Sequence, residues 1–180
     1  MRAIPSLLLV GALLAGSAAR ANEDADFGVA PASALRLGEL SAPTPSEIPG
    51  AKILRTVELR DRLSAAEGER LLLFDVLGGE PHDSLPGAVW LPGAGRGNSY
   101  DDAVQAQLAR LLQAATKGDV TRPMAFFCQG TRCWLSYNAA LRAVALGYRQ
   151  VYWYRGGVEA WLAAGGELAP LRFSWRKPAP

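Results

Sequence analysis

Residues 124–134 read MAFFCQGTRCW, which predicts a buried strand that runs into a short loop and then a helix. Met124 to Phe127 form a compact apolar run, as in the buried strands of parallel sheets. After the loop, apolar residues recur at helical spacing from Trp134 to Leu146, and Gly147 follows where a C-terminal cap is expected. The loop therefore begins with Cys128 at the end of a strand and closes with Cys133 at the start of a helix.

The rest of the chain repeats this alternation of strands and helices. Short strand-forming segments occur at 52–54, 71–76, 88–91 and 150–154, and helical patterns follow Thr56, Asp101-Asp102 and Gly157. Thr56 occupies the expected position of a helix cap. The pattern predicts an α/β fold with three layers: a central parallel sheet flanked by helices on both faces. Ligands of such sheets bind beyond the carboxyl ends of the strands, where Asp75 and the cysteine loop are placed.

The chain divides into four predicted segments. Residues 1–21 have a positive start, an apolar run and a small-residue cleavage pattern, which together predict a secretory signal peptide. Residues 22–50 form an irregular arm rich in Pro and Ala, residues 51–175 form one domain, and residues 176–180 form a C-terminal tail. No later apolar run reaches the ~18 residues of a membrane span, so we expect none after removal of the signal.

Composition excludes several classes of function. The formal net charge is +2, with basic and acidic residues interspersed, so no basic stripe indicates a nucleic-acid partner. Two cysteines and one histidine are too few for a zinc site, and Trp134 stands where a c-type haem motif requires histidine. We expect neither a metal nor a cofactor.

The two cysteines admit either a structural or a chemical role. A cysteine pair in an exported protein is most simply a disulfide. However, a bridge between Cys128 and Cys133 closes a short loop and therefore stabilises the fold little, which favours chemistry. Cys133 is either a resolving thiol that attacks an oxidised or sulfurated Cys128, or only a small residue at a helix start.

The loop has the features of an anion cradle around Cys128. Main-chain N–H groups and the helix start favour a thiolate, and Arg132, or the downstream Arg155, would lower its pKa. Gly130 lets the backbone turn tightly. We therefore expect Cys128 to be an anionic nucleophile open to reactants, with Trp134 either a core or rim aromatic or a platform for the substrate.

Several landmarks in order make the chain resemble the rhodanese-like domains. They are Asp75-Val76, the Leu85-Pro86-Gly87-Ala88 turn, the loop from Cys128, Gly147-Tyr148, and the segment from Gly156 to Trp161. The resemblance implies a sulfurtransferase in which Cys128 takes sulfane sulfur from a thiosulfate-like donor and passes it to a thiol acceptor. By position, it makes Cys128 the persulfide carrier and residues 129–133 the cradle around it. Together with the chemistry of the loop, it leads us to predict Cys128, Cys133 and Arg132 as catalytic residues. The predicted substrate-binding residues are Gln129, Gly130, Thr131, Trp134 and Asp75.

The Cys-x-x-x-x-Cys-Trp ending, with the signal peptide and the arm, is similar to a narrower group of exported rhodanese-like proteins. That group is associated with PQQ-dependent alcohol catabolism in bacteria. The similarity implies a periplasmic location and a periplasmic protein partner. It does not imply that this chain binds PQQ.

Two other functions stay open. The first is a thiol-disulfide redox or sensor protein that uses Cys128 and Cys133. The second is a non-catalytic binding module of the alcohol-oxidising system, with an aromatic surface formed by Tyr152, Trp153, Tyr154 and Trp161. A strand and a helix that face the core explain the same aromatic residues equally well.

Overall fold

The computed structural model describes residues 23–64 and 71–171, so the predicted signal peptide and C-terminal tail lie outside the described residues. Strands and helices alternate along most of the chain, as the sequence predicts. The elements are β1 Lys52–Ile53, α1 Thr56–Leu63, β2 Leu72–Asp75, β3 Asp83–Ser84, β4 Val89–Trp90, α2 Ala103–Thr116, β5 Met124–Phe127, α3 Trp134–Ala145, β6 Val151–Trp153, α4 Gly157–Ala163 and β7 Ala169–Pro170.

Five strands form one parallel sheet in the order β1-β6-β5-β2-β4. The run at 124–127 becomes the middle strand β5, in which Met124 pairs with Leu72 of β2 on one side and with Val151 of β6 on the other. All four residues of β5 are buried. β3 and β7 pair as a small antiparallel ribbon, which the sequence patterns do not predict.

Helices cover both faces of this sheet, which confirms the predicted α/β fold. Alternate strand side chains point to opposite faces. Phe74 and Phe126 therefore pack with residues of α2 and α3 in one core cluster. Leu73 and Phe127 pack in a second cluster, which includes Leu59 of α1 and Trp161 of α4.

Polar groups fix the starts of two helices. Asp102 caps α2 by accepting a hydrogen bond of 2.8 Å from the Gln105 amide, as its position predicts. The prediction for α1 is wrong by one residue, because Arg55 is the cap and Thr56 lies inside the helix. The Thr56 hydroxyl contacts Glu23 and Tyr154, which the local sequence does not reveal.

The arm is irregular over its described part, since residues 23–51 contain no helix or strand. Side chains of α3 hold it through hydrogen bonds over long sequence distances. The Tyr137 hydroxyl donates to the Ala32 carbonyl at 2.8 Å, and the Asn138 amide donates to the Arg36 carbonyl at 2.9 Å. No helix among the described residues has the length and apolar character needed to cross a membrane.

Arg142 of α3 is a fully buried charge that joins α3 to the start of α2. Its two terminal nitrogens lie 3.1 and 2.9 Å from the two carboxylate oxygens of Asp102. They also donate to the carbonyl oxygens of Ser99 and Arg96. A buried charge must be paired and hydrogen-bonded, and here both terminal nitrogens are, although Nε has no partner among the described residues. This network fixes the loop before α2.

We expect Arg142→Met to lower the free energy of unfolding by about 3–5 kcal/mol, because Asp102 and two carbonyl groups lose their donor in a buried site. Urea denaturation followed by tryptophan fluorescence measures the change. Arg149→Met is the matched control, since Arg149 is exposed and its loss is expected to stay within about 0.5 kcal/mol. Equal effects of the two substitutions would contradict the role assigned to Arg142.

The same ion pair predicts an acid-dependent loss of stability. Partial burial opposes ionisation of Asp102, but hydrogen bonds from Arg142 and from the amides of Gln105, Ser99 and Asn98 outweigh it and lower its pKa to about 2. A lowered folded-state pKa stabilises the fold above the unfolded value and ceases to do so as pH falls through the folded value. We therefore expect the stability difference between wild type and Asp102→Asn to shrink between about pH 4 and about pH 2. A difference that stays constant over this range would refute the assignment.

Candidate functional site

β5 delivers Cys128 to the carboxyl edge of the sheet, where the sequence places it. The hydrogen bonds of the sheet continue past the strand: the Val76 amide donates to the Phe127 carbonyl at 2.9 Å, and the Val158 amide donates to the Cys128 carbonyl at 3.1 Å. Gly157 has a φ of +56°, and a Cβ there would collide with the Cys128 carbonyl oxygen. Glycine is therefore required beside the cysteine for both conformation and close approach.

Cys128 and Cys133 form a disulfide, with their Cα atoms 6.4 Å apart. Cys128 is only 1% exposed and Cys133 is 8% exposed. The structure thus differs from the expectation of a Cys128 thiolate open to reactants. In this form neither cysteine is a nucleophile, and the disulfide must open before Cys128 can react.

Two of the main-chain amides expected to form the anion cradle around Cys128 donate to other groups. The Cys133 amide donates to the Gly130 carbonyl at 3.0 Å, and the Trp134 amide donates to the Leu40 carbonyl of the arm at 2.9 Å. The amides of residues 129–132 have no hydrogen-bond partner within the described parts of the chain. These four amides are therefore the ones available to an anion at the loop.

Ser136 is a buried neighbour of the Cys128 sulfur that the sequence patterns did not indicate. Its Oγ lies 3.0 Å from Cys128 Sγ and 3.5 Å from the Cys133 carbonyl oxygen. The Trp153 indole donates to the same Oγ at 2.9 Å, so the hydroxyl proton is free to point to the sulfur or to that carbonyl. The spacing could have indicated this contact, because Ser136 follows Cys133 by about one helical turn and therefore lies on the same side of α3.

Cys133 opens onto a surface pocket in front of the loop. Two arginines, Arg96 and Arg132, and one carboxylate, Glu159, give its lining a net positive charge. A Cβ at Gly130 would collide with Glu159, so this glycine admits that side chain. Cys128, Thr131, Trp134 and Asp75 do not line the pocket. The lining residues are Leu40, Ser41, Leu77, Gly78, Arg96, Gln129, Gly130, Arg132, Cys133, Leu135 and Glu159.

Thr131 and Trp134, which are predicted to bind substrate, form hydrogen bonds with the arm. The Thr131 carbonyl accepts from both the amide and the hydroxyl of Thr44, at 3.1 and 2.7 Å. The Trp134 indole donates to the Pro43 carbonyl at 3.1 Å, and the guanidinium of Arg36 lies over its ring. These contacts hold the arm against the cysteine loop.

Arg155, which the sequence offered as an alternative activator of the thiolate, anchors the arm. It is 2% exposed, and its guanidinium donates to the hydroxyl and the carbonyl of Thr44 at 3.1 and 3.0 Å and to the Glu23 carbonyl at 2.9 Å. Arg132 is exposed and has no hydrogen bond within the described residues. Of the two arginines, Arg132 is therefore the one available to an anion in the pocket.

The structure does not bring Asp75 to the cysteine loop. Its buried carboxylate accepts from the Leu77 amide at 2.8 Å and from the Ser84 hydroxyl at 2.5 Å, and it lies 3.0 Å from His82 Nε2. Strand alternation places Asp75 and Cys128 on opposite faces of the sheet. Across residues 23–64 and 71–171, no group of three or more His, Cys, Asp or Glu side chains is arranged to hold a metal.

The four aromatic residues considered as a binding surface belong to the core. Trp153 packs against Tyr137 in the cluster that contains Cys128, and the other three lie in the cluster on the opposite face. Each is less than 9% exposed, so they do not form a surface for a partner. The residues are Tyr152, Trp153, Tyr154 and Trp161.

Several solved structures resemble this chain at low sequence identity. The BH2092 protein from Bacillus halodurans is 20% identical, with a TM-score of 0.50 over 67% of this chain and 77% of that chain. An EanB variant in complex with hercynine is 18% identical, with a TM-score of 0.51 over 74% of this chain and 34% of that chain. A thiosulfate sulfurtransferase from Pseudomonas aeruginosa is 18% identical, with a TM-score of 0.49 over 72% of this chain and 22% of that chain.

No curated protein shows significant similarity to the chain. The model of the rhodanese-like domain, in contrast, matches residues 55–164, which is more than half of the sequence. This match spans α1 to α4, the cysteine loop and every strand of the parallel sheet except β1. On this evidence the chain belongs to the family of rhodanese-like domain proteins.

Proposed function

We propose that this protein is a sulfurtransferase in which Cys128 carries sulfane sulfur as a persulfide. The observation that carries the proposal is the position of Cys128, which follows the middle strand and precedes the start of α3 within the rhodanese-like part of the chain. This position places the N-terminus of α3 near an anionic sulfur, in a loop whose amides at residues 129–132 have no hydrogen-bond partner among the described residues. Ser136 adds a hydroxyl at 3.0 Å.

The proposed cycle begins with reduction of the disulfide. The Cys128 thiolate then attacks the outer sulfur of thiosulfate, a bond forms between the two sulfurs, and sulfite leaves with the electron pair of the broken bond. In the second step an acceptor thiolate attacks the outer sulfur of the persulfide. The acceptor leaves as its own persulfide, and Cys128 returns as a thiolate ready for another donor.

Cys133 supports a second candidate function, redox cycling or sensing. In the reduced protein, the Cys133 thiolate can attack the inner sulfur of a Cys128 persulfide, which forms the disulfide and releases hydrosulfide. The observation that favours this function is the disulfide itself. The binding-module function lacks such support, since its aromatic surface is buried.

We also propose that the protein acts in the periplasm, together with an alcohol-oxidising system that depends on PQQ. The support is the signal-like pattern of residues 1–21, the Pro-rich arm and the Cys-x-x-x-x-Cys-Trp ending. An oxidising compartment agrees with the disulfide. A periplasmic protein with a reactive thiol would serve as reductant or sulfur acceptor.

We expect the prereduced protein to gain one sulfur atom on Cys128 when it is incubated with thiosulfate, as measured by non-reducing mass spectrometry. Cys133→Ser is expected to keep this sulfur longest, because it lacks the thiol that displaces hydrosulfide. The unreduced protein and Cys128→Ser are expected to gain none. If Cys133→Ser takes no sulfur under conditions that load a known rhodanese, the proposal is wrong.

For the redox function, we expect the Cys128–Cys133 pair to have a reduction potential above about −300 mV, within the range of disulfides that cells can reduce. The physical reason is that the short loop gives the disulfide little chain-entropy stabilisation. Equilibration with thiol buffers and alkylation of free thiols gives the value. A pair that stays oxidised in every physiological buffer would be structural, and redox cycling would be rejected.

A further inference from the structure

The two sulfurs of the disulfide lie in different surroundings. Cys133 lines the surface pocket in front of the loop, whereas Cys128 does not. Cys128 is packed in the core cluster formed with α2 and α3, at 1% exposure. Of the two cysteines, a molecule that enters the pocket therefore contacts Cys133.

This asymmetry matters because thiol-disulfide exchange is directional. The incoming thiolate bonds to one sulfur while the other leaves with the electron pair, and the reaction is faster when the leaving thiolate is stabilised. Ser136 Oγ lies 3.0 Å from Cys128 Sγ, where its hydroxyl can donate to a departing thiolate. The Trp153 indole donates to the same oxygen, which leaves the hydroxyl proton for the sulfur or the nearby Cys133 carbonyl.

The charges around the pocket select the incoming thiol. Arg132 is exposed at the lining, and Arg96 is a second cation there. Glu159 is the one carboxylate among the residues that line the pocket, and the Gln129 amide lies 3.4 Å from it. The net positive lining attracts a negatively charged thiol and disfavours a positively charged one.

We propose that a small anionic thiol, of the chemical class of glutathione, enters this pocket and opens the disulfide by attacking Cys133. Its thiolate forms a bond to Cys133 Sγ, the Cys128–Cys133 bond breaks, and Cys128 leaves as a thiolate beside Ser136. The products are a mixed disulfide on Cys133 and a free Cys128, so no further oxidant or reductant is needed for this step. The inference deepens the proposed function, because Cys128 must be released before it can carry sulfur.

Trapping of the first intermediate tests the direction of attack in the unmodified protein. The oxidised wild type is mixed with glutathione, quenched with acid within the first turnover and alkylated with N-ethylmaleimide, and peptide fragmentation then locates both groups. We expect glutathione on Cys133 and the maleimide on Cys128. Glutathione on Cys128, or on both cysteines equally, would overturn the proposal.

The choice of thiol is tested by reduction rates for an anionic thiol, 2-mercaptoethanesulfonate, and a cationic one, cysteamine, each corrected for its thiolate fraction. We expect the anionic thiol to react faster, and Arg132→Gln to lower this preference at least about threefold. Arg110→Gln is the control, because Arg110 is exposed on α2 and does not line the pocket. If Arg132→Gln keeps the same preference, the proposed selection of an anionic thiol by the pocket charge is wrong.

Failure of the opening step and failure of the proposed sulfurtransferase function give different experimental results. Sulfur loading is measured on fully reduced protein, so its outcome does not depend on which sulfur the reductant attacks. Reduced protein that takes no sulfur rejects the transferase and leaves the opening step intact. Attack at Cys128 rejects the opening step and leaves the transferase intact.

Discussion

The position of Cys128 depends on β5, which is hydrogen-bonded on both sides in the middle of a parallel sheet. The bonds continue beyond the strand, since the carbonyls of Phe127 and Cys128 accept from Val76 and Val158. Moving Cys128 outward would break these buried bonds, each of which is costly to leave unmade. The sulfur is therefore held in the interior, and its chemistry has to be reached through the part of the loop that faces the pocket.

The arm is part of the site although it precedes the segment that matches the family model. The Leu40 carbonyl of the arm accepts a hydrogen bond from the Trp134 amide, and the amide and hydroxyl of Thr44 donate to the Thr131 carbonyl. Arg155 then fixes Thr44 from the core side. The arm thus replaces solvent at one wall of the pocket and removes one main-chain donor from any anion that binds there, so it influences which ligands fit.

Patterns of burial predicted much of this structure, and long-range polar partners could not be predicted. The apolar run at 124–127 and the helical pattern after Asp101-Asp102 are local signals, and β5 and α2 form where the sequence indicates. In contrast, Trp134 bonds Pro43, 91 positions away, and Asp75 bonds Ser84 on the face opposite Cys128. Periodicity reports which side chains are buried, but it does not report which distant group a buried donor or acceptor meets.

Burial also explains how a disulfide and the proposed sulfur carrier can share one site. A disulfide is uncharged and is inexpensive to bury, whereas a buried thiolate must be compensated by hydrogen bonds or positive charge. Among the described residues, the groups placed to compensate a thiolate at Cys128 are the Ser136 hydroxyl and the start of α3. The neutral disulfide is therefore the state that the surroundings tolerate most easily, and the charged sulfur is formed only when a reactant opens the bond. In the proposed cycle, the oxidation state of the pair therefore controls when Cys128 is able to accept sulfur.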